Sequence, residues 1–243
     1  LQATERDIRF IGGPDEFAAA FGTSREAVER LVLYERLLRQ WQKVVNLVSP
    51  ATLDSVWHRH FADSAQLVPL APPGTRSWID LGSGAGFPGL VVAILLAEGV
   101  RPLASTVEGS TVVRREGSDP FIRVTLIESD TRKCAFLREV ARQVGVDVDI
   151  LSTRAESART PVDEGLPRVV SARALAPLDR LLDLAEPLSP PGTTLLLMKG
   201  REVRKELQMA EAAWTFDVEL VPSVTDKRGR IAVITNLERK AKD

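Results

Sequence analysis

The chain has 243 residues, 44% of them hydrophobic and 27% charged, with 32 basic against 33 acidic side chains. That length fits one full domain plus an appended segment, enough to bury a core without metal or disulfide staples, and the composition is not that of a disordered tail. The longest apolar run, 90–97, falls far short of the ~18 residues a bilayer span needs, and a net charge of −1 leaves any nucleic acid to be held by local basic patches.

Residues 1–22 carry little signal, with Gly12, Gly13 and Pro14 interrupting any long element. Thr23 with Glu26 three positions later reads as a capping box, and Ala27, Leu31, Tyr34, Leu38, Trp41, Val45 and Val48 follow at helical spacing until Ser49-Pro50. A second helix is predicted from Leu53 to about Val68, stopped by Pro69 and the Pro72-Pro73-Gly74 turn. Residues 1–74 therefore read as a small helical cap. Residues 75–243 read as the main domain, in which strands predicted at 77–81, 122–128, 148–152, 168–171 and 193–198 alternate with helices at 90–98, 131–144 and 178–186. This is the grammar of a doubly wound, mostly parallel α/β sheet. Two further strands, 216–224 and 231–236, flank the polar turn Asp226-Lys227-Arg228-Gly229-Arg230 and predict an antiparallel hairpin at the end.

The first predicted strand runs directly into Gly82-Ser83-Gly84-Ala85-Gly86-Phe87-Pro88-Gly89. Such a turn lets the backbone approach a ligand closely. Read from Gly84 it is G-x-G-x-x-G, the dinucleotide fingerprint. Read from Asp80 it is acid-x-Gly-x-Gly-x-Gly, the frame of methyltransferases. The second frame starts where the strand ends, and its acid suits a cationic sulfonium cofactor better than a pyrophosphate. Glu128 closes the next strand, where a carboxylate can grip ribose hydroxyls, while Ser129 or Asp130 can cap the following helix. The gap from Gly86 to Glu128 exceeds the ~20 residues usual in such units, so residues 99–120 read as an insertion away from the pocket.

Taken together, Asp80 to Gly89, Glu128-Ser129-Asp130-Thr131-Arg132-Lys133, Arg154-Ala155-Glu156 and Ser171-Ala172-Arg173-Ala174-Leu175-Ala176-Pro177 resemble the ribosomal RNA small subunit methyltransferase G family, also called glucose-inhibited division protein B. Trp41 to Leu47 and Arg59 to Ser64 are similar to its N-terminal helices, and Leu197-Met198-Lys199-Gly200 to a later strand end. The resemblance covers about residues 24–237. It implies a class I, Rossmann-like methyltransferase fold and transfer of a methyl group from S-adenosyl-L-methionine to N7 of one guanine in the 530 loop of 16S ribosomal RNA. It also implies a cofactor site formed by Gly82, Phe87, Ala155, Glu156 and Arg173, which joins Glu128 as read above.

The residues agree with that chemistry by omission. Guanine N7 offers a lone pair and carries no proton, so no catalytic general base is expected. Ser171-Ala172-Arg173 stands where methyltransferases of exocyclic amines keep Asn-Pro-Pro-Tyr or Asp-Pro-Pro-Tyr. Cys134, inside an apolar helix face, reads as packing. As the single cysteine it excludes an internal disulfide and, with no secretory pattern at the start, fits a reducing, cytoplasmic setting. His58 and His60, two apart, do not share a helix face, so no metal is expected; His60 and Asp63 do, and predict a hydrogen bond.

Arg173 is expected to clamp the cofactor carboxylate or an RNA phosphate, or else to pair with Asp80 or Glu156. For the RNA substrate the candidates are Lys199 and Arg201 at a strand end, then Arg204 and Lys205, Arg36, Arg39 and Lys43, and the hairpin cations Lys227, Arg228 and Arg230. Four Trp, one Tyr and eight Phe are too few for a dedicated stacking platform. A monomer acting on 16S RNA or the small ribosomal subunit is the expectation. The rivals are an NAD-dependent oxidoreductase and a non-catalytic nucleotide-binding regulator.

Overall fold

The computed structural model describes residues 10–98, 122–160 and 166–241. The expected insertion at 99–120 lies outside them. Seven strands form one sheet in the order β3-β2-β1-β4-β5-β7-β6. They are β1 (Ser77–Leu81), β2 (Arg123–Glu128), β3 (Asp149–Ser152), β4 (Arg168–Arg173), β5 (Thr193–Lys199), β6 (Trp214–Pro222) and β7 (Arg230–Arg239). The first five pair in parallel; β7 runs antiparallel to both β5 and β6. Strand order reverses at β1 and β4, and a reversal of this kind opens a crevice at the carboxyl edge of the sheet.

Alternation along the strands separates the core into two layers. Trp78, Val124, Leu126, Val169, Leu196 and Ile231 face one side, packed with the N-terminal helices, α5 (Gly89–Ala97) and α6 (Thr131–Val144). Ile79, Leu81, Ile127, Val170, Ala172, Leu195 and Leu197 face the other, under α7 (Leu178–Ala185) and α8 (Val203–Ala210). Every residue of β1 is buried because helices cover both faces of the central strands.

The N-terminal segment is more broken than its periodicity predicts. Pro14–Phe21 forms α1, started by its own proline and closed by Gly22 at φ 58°. The helix α2 (Arg25–Trp41) begins one residue later than the expected capping box: Ser24 Oγ accepts from Ala27 N at 3.0 Å, while Thr23 Oγ1 is buried without a partner. It also ends at Trp41 rather than at 48, because Gln42 folds back. Its Oε1 accepts from Leu47 N and Val48 N at 3.0 Å each, and its Nε2 donates to Val48 O at 2.8 Å. In place of one helix to residue 68 there are α3 (Pro50–Leu53), a π-helical turn Trp57–Ala62, α4 (Asp63–Ala65) and a 3-10 turn Val68–Leu70. These pieces share one apolar cluster with the sheet. No helix among the described residues is long and apolar enough to cross a membrane.

Candidate active site

β1 delivers the chain into a turn at the carboxyl edge, where Gly82 has φ +64° and Gly86 has φ +91°. Side chains resist that left-handed backbone, and at Gly82 an added Cβ would lie 2.6 Å from Leu175 Cδ1. Four N–H groups of the turn are committed inside the protein. Ser83 N donates to Ile127 O at 3.1 Å, and Gly86 N and Phe87 N donate to Ser83 O at 2.7 and 3.1 Å. Gly84 N donates to the Glu128 carboxylate at 2.9 Å.

Two carboxylates support this turn from below and beside. Glu128, 8% exposed, takes Gly84 N on one oxygen and Asp130 N, at 2.8 Å, on the other. Asp130 caps α6 by accepting from Arg132 N at 2.8 Å, so the turn, the end of β2 and the start of α6 share one network. Asp80 behaves differently from its sequence reading. Rather than facing a cofactor, it is wholly buried, accepting from Gly89 N at the start of α5 at 3.1 Å and from Ser171 Oγ at 2.8 Å. Trp78 Nε1 in turn donates to Ser171 Oγ at 3.0 Å. Burial pushes the Asp80 carboxyl up to about 6, against the pull of Ser171, Ser83 and Gly89.

Phe87, leaving the turn, is 4% exposed and sits between rings. Tyr34 of α2 stacks on it at 5.4 Å and 13°, and His60 of the π turn at 4.8 Å and 19°. Tyr34 Oη donates to Ala85 O, and its burial raises the phenol well above its usual range. The Arg173 guanidinium lies 5.1 Å over the Phe87 ring. Arg173 pairs with neither Asp80 nor Glu156. It donates to Arg59 O at 3.0 Å, to Asp63 Oδ2 at 3.3 Å and to His60 Nδ1 at 2.9 Å, so it ties the end of β4 to the helical segment.

His60 therefore does not bond Asp63. Arginine has no acceptor, so His60 Nδ1 must accept from it and Nε2 must carry the proton toward Thr52 Oγ1 at 2.8 Å. Burial, with Arg173 and Arg59 nearby, lowers its value to about 3, and the ring is neutral. Asp63 instead accepts from Arg173, from Gln66 Nε2 at 2.9 Å and from Thr225 Oγ1 at 2.6 Å. His58 accepts from Ile11 N and meets Thr225 O, so the two histidines serve different partners. Among the described residues no His, Cys, Asp and Glu cluster could hold a metal ion.

Ala155 and Glu156 form a 3-10 turn after β3 at the same edge. Ala155 packs on the second core layer, while exposed Glu156 pairs with Arg180 of α7. Lys199 ends β5, but its ammonium is spoken for. It pairs with Glu206 and donates to Ala176 O at 3.1 Å, with 9% of the side chain exposed. Glu206 also accepts from Leu178 N at 2.8 Å. Lys199 thus braces the 174–177 loop, whose Ala174 has φ 53° and whose Leu175 overlies Gly82. Arg201 is exposed and, among the described residues, pairs with Glu202 at 3.2 Å. Arg39 is folded onto Glu35 and the carbonyl of Leu53.

Sequence reasoning missed Tyr34, Asp63, Leu175 and Glu206 as parts of the site. Tyr34 has the spacing of a core residue, and only the stack on Phe87 distinguishes it. Leu175 carried a signal, since an apolar side chain among small residues directly after a strand end sits where a ligand crevice opens.

A parallel sheet with an antiparallel end and a glycine turn after its first strand defines a class I S-adenosylmethionine-dependent methyltransferase fold. Solved structures share it: an O-methyltransferase from Bacillus cereus in complex with SAH has a TM-score of 0.53 at 14% identity, covering 92% of this chain and 96% of that one. A SAM-dependent methyltransferase from Aquifex aeolicus has a TM-score of 0.50 at 14% identity, covering 79% and 97%. Within that class, the pattern of GidB, rRNA small subunit methyltransferase G, matches residues 27–103 and 118–233. The chain belongs to that family. It is 45% identical over 231 residues to the ribosomal RNA small subunit methyltransferase G of Parvibaculum lavamentivorans, covering 93% of this chain and 92% of that protein. It is 48% identical over 222 residues to the protein of the same name from Rhodospirillum centenum, covering 91% and 90%. The interruption in the family match falls inside the stretch read as an insertion.

Proposed function

We propose that this chain methylates N7 of a guanine in small-subunit ribosomal RNA, using S-adenosyl-L-methionine, as a cytoplasmic monomer. The observation that carries the choice of cofactor is the Glu128 carboxylate bonded to Gly84 N–H. A negative charge already occupies the donor that a pyrophosphate would need, and Ser83 N, Gly86 N and Phe87 N of the turn are satisfied internally. The residues fit a cationic, sugar-bearing group instead. In this reading Gly82 and Phe87 form the floor, Glu128 accepts from the ribose hydroxyls, and Ala155 and Glu156 flank the adenine side. Arg173, held by Asp63 and His60, faces the carboxylate end. We retain residues 1–74 as a cap on the methyltransferase domain.

When bound, the cofactor supplies an electrophilic methyl group on a sulfonium. The chain's own part is orientation and exclusion of water. No proton leaves N7, and the titratable groups around the turn are committed to structure. Asp80 is locked between Ser171 and Gly89, Tyr34 is bonded to Ala85 O, and His60 is engaged on both nitrogens. Lys199 enters as a brace of the 174–177 loop rather than as a phosphate ligand.

Tritium transfer from labelled S-adenosylmethionine to small ribosomal subunits of a strain lacking the gene tests the proposal, with the modified base mapped by reverse-transcription stops. Incorporation at one guanine is expected. No incorporation at saturating cofactor, or tight NAD binding without S-adenosylhomocysteine binding, defeats it.

A further inference from the structure

Beside the glycine turn, over the carboxyl ends of β4 and β5, lies a second cleft of about 270 Å³. The π turn forms one wall and the β6–β7 hairpin the other, and seven charged residues line it. Most of that charge cancels within the protein. Asp63 is matched by Arg173 at 3.3 Å, and Glu206 by Lys199. Arg59, Arg230 and Asp226 remain without a close charge partner among the described residues, although Asp226 Oδ1 accepts from Arg228 N at 2.9 Å. Arg59 Nη1 is 3.5 Å from Asp226 Oδ2, beyond a good hydrogen bond, and their side chains are 45% and 39% exposed. Arg230 uses a single nitrogen, Nη1, on the carbonyls of Lys227 and Gly229, which pins the guanidinium and leaves its other edge open.

We infer that this cleft binds a phosphodiester of the RNA strand, with Arg59 and Arg230 as its ligands and Asp226 as a competitor that the phosphate displaces. The inference rests on the RNA-methylating reading above. Two guanidinium forks on opposite walls match the tetrahedral oxygens of a phosphate, which a pair of ammonium groups would not orient. Arg59 is offered from a fixed base. Its neighbours Trp57, His58, His60 and Phe61 are buried, and its own carbonyl accepts from Arg173. Lys199 contributes to the floor with its charge already spent on Glu206. A phosphate held here lies beside Ala174, whose neighbour Leu175 overlies Gly82.

The test compares the parent with Arg59→Gln, Arg230→Gln, Asp226→Asn and a control, Arg142→Gln. Arg142 lies in the last turn of α6, at the amino edge of the sheet. Binding to transcribed small-subunit ribosomal RNA is measured across salt concentrations, and S-adenosylhomocysteine binding is titrated in parallel. Arg59→Gln and Arg230→Gln are each expected to weaken RNA binding about fivefold at 0.1 M salt and to flatten the log–log salt slope by about 0.8. Asp226→Asn is expected to tighten it about threefold, and the control to match the parent. S-adenosylhomocysteine affinity stays within about twofold throughout, as residues 59, 226 and 230 line the cleft and not the glycine turn. Parent slopes in both arginine variants, or an equal loss in Arg142→Gln, overturn the cleft assignment while the parent still methylates subunits. A parent that transfers no label overturns the functional reading first. Competition by inorganic phosphate at the same concentrations as RNA phosphate would show a free-anion site and overturn the strand assignment.

Discussion

The two halves of the sheet's carboxyl edge are built from different materials. Over β1 and β2 the site is backbone: glycines 82 to 86, their N–H groups and one carboxylate, Glu128, bonded to Gly84 N. Over β4, β5 and the hairpin it is side-chain charge collected from residues 59, 63, 173, 199, 206, 226 and 230. A backbone turn holds one geometry through its dihedral angles, which suits a ligand that never changes. A wall of paired charges can exchange partners, which suits a polyanion that arrives, docks and leaves.

Substitutions should expose that difference. The largest effect is expected from Gly82→Asp, which imposes a side chain on left-handed backbone 2.6 Å from Leu175 Cδ1. S-adenosylhomocysteine affinity should fall at least ~100-fold by calorimetry with RNA binding retained, since the strain falls on the turn and the clash on Leu175, not on Arg59 or Arg230. Unchanged affinity would mean the ligand lies elsewhere. Glu128→Gln keeps the shape and removes the charge, so a loss of about 10-fold in cofactor affinity is expected. A loss confined to RNA binding would reverse the division of labour between the halves. Lys199→Met should lower methyl transfer about fivefold by loosening the 174–177 loop while leaving the RNA salt slope at the parent value. A flatter slope would return Lys199 to the phosphate-contacting set.

The smallest effect concerns pH. His60 in the folded chain stays neutral to about 3, whereas the unfolded residue charges below 6.5. Its contribution is present above 6.5 and is lost as pH falls toward 3. Asp80 runs the other way, since its folded value of about 6 exceeds the unfolded 3.8, so stability declines as pH rises through that window. Replacing His60 by Phe keeps the ring over Phe87 and removes the titration. Its deficit in Tm against the parent should be largest at pH 7 and shrink toward pH 4. A deficit constant with pH would place the loss in the bonds to Arg173 and Thr52 rather than in titration.

The same contrast explains what could be read from the sequence. The glycine turn is contiguous, so Asp80 to Gly89 announced both strand and turn, and the alternation of strands and helices announced the sheet. The hairpin and all seven strands were legible, with ends displaced by up to three residues. The helix α8 was not, because its eight residues carry only three buried positions. The broken helices of 41–70 were hidden because Gln42 and the π turn act through side-chain and i→i+5 contacts that periodicity does not record. The partners that Arg173 and Lys199 take inside the protein were not legible for one reason: a cation at a strand end looks identical in sequence whether it meets a ligand or a carboxylate from residue 63 or 206.

Asp63 has a consequence for how such proteins can vary. One carboxylate receives Arg173 from a central strand, Gln66 from its own segment and Thr225 from the terminal hairpin. A hybrid that joins the leading helices of one family member to the sheet of another must carry positions 63, 66, 173 and 225 as an inherited set. Otherwise the seam opens at the mouth of the cleft.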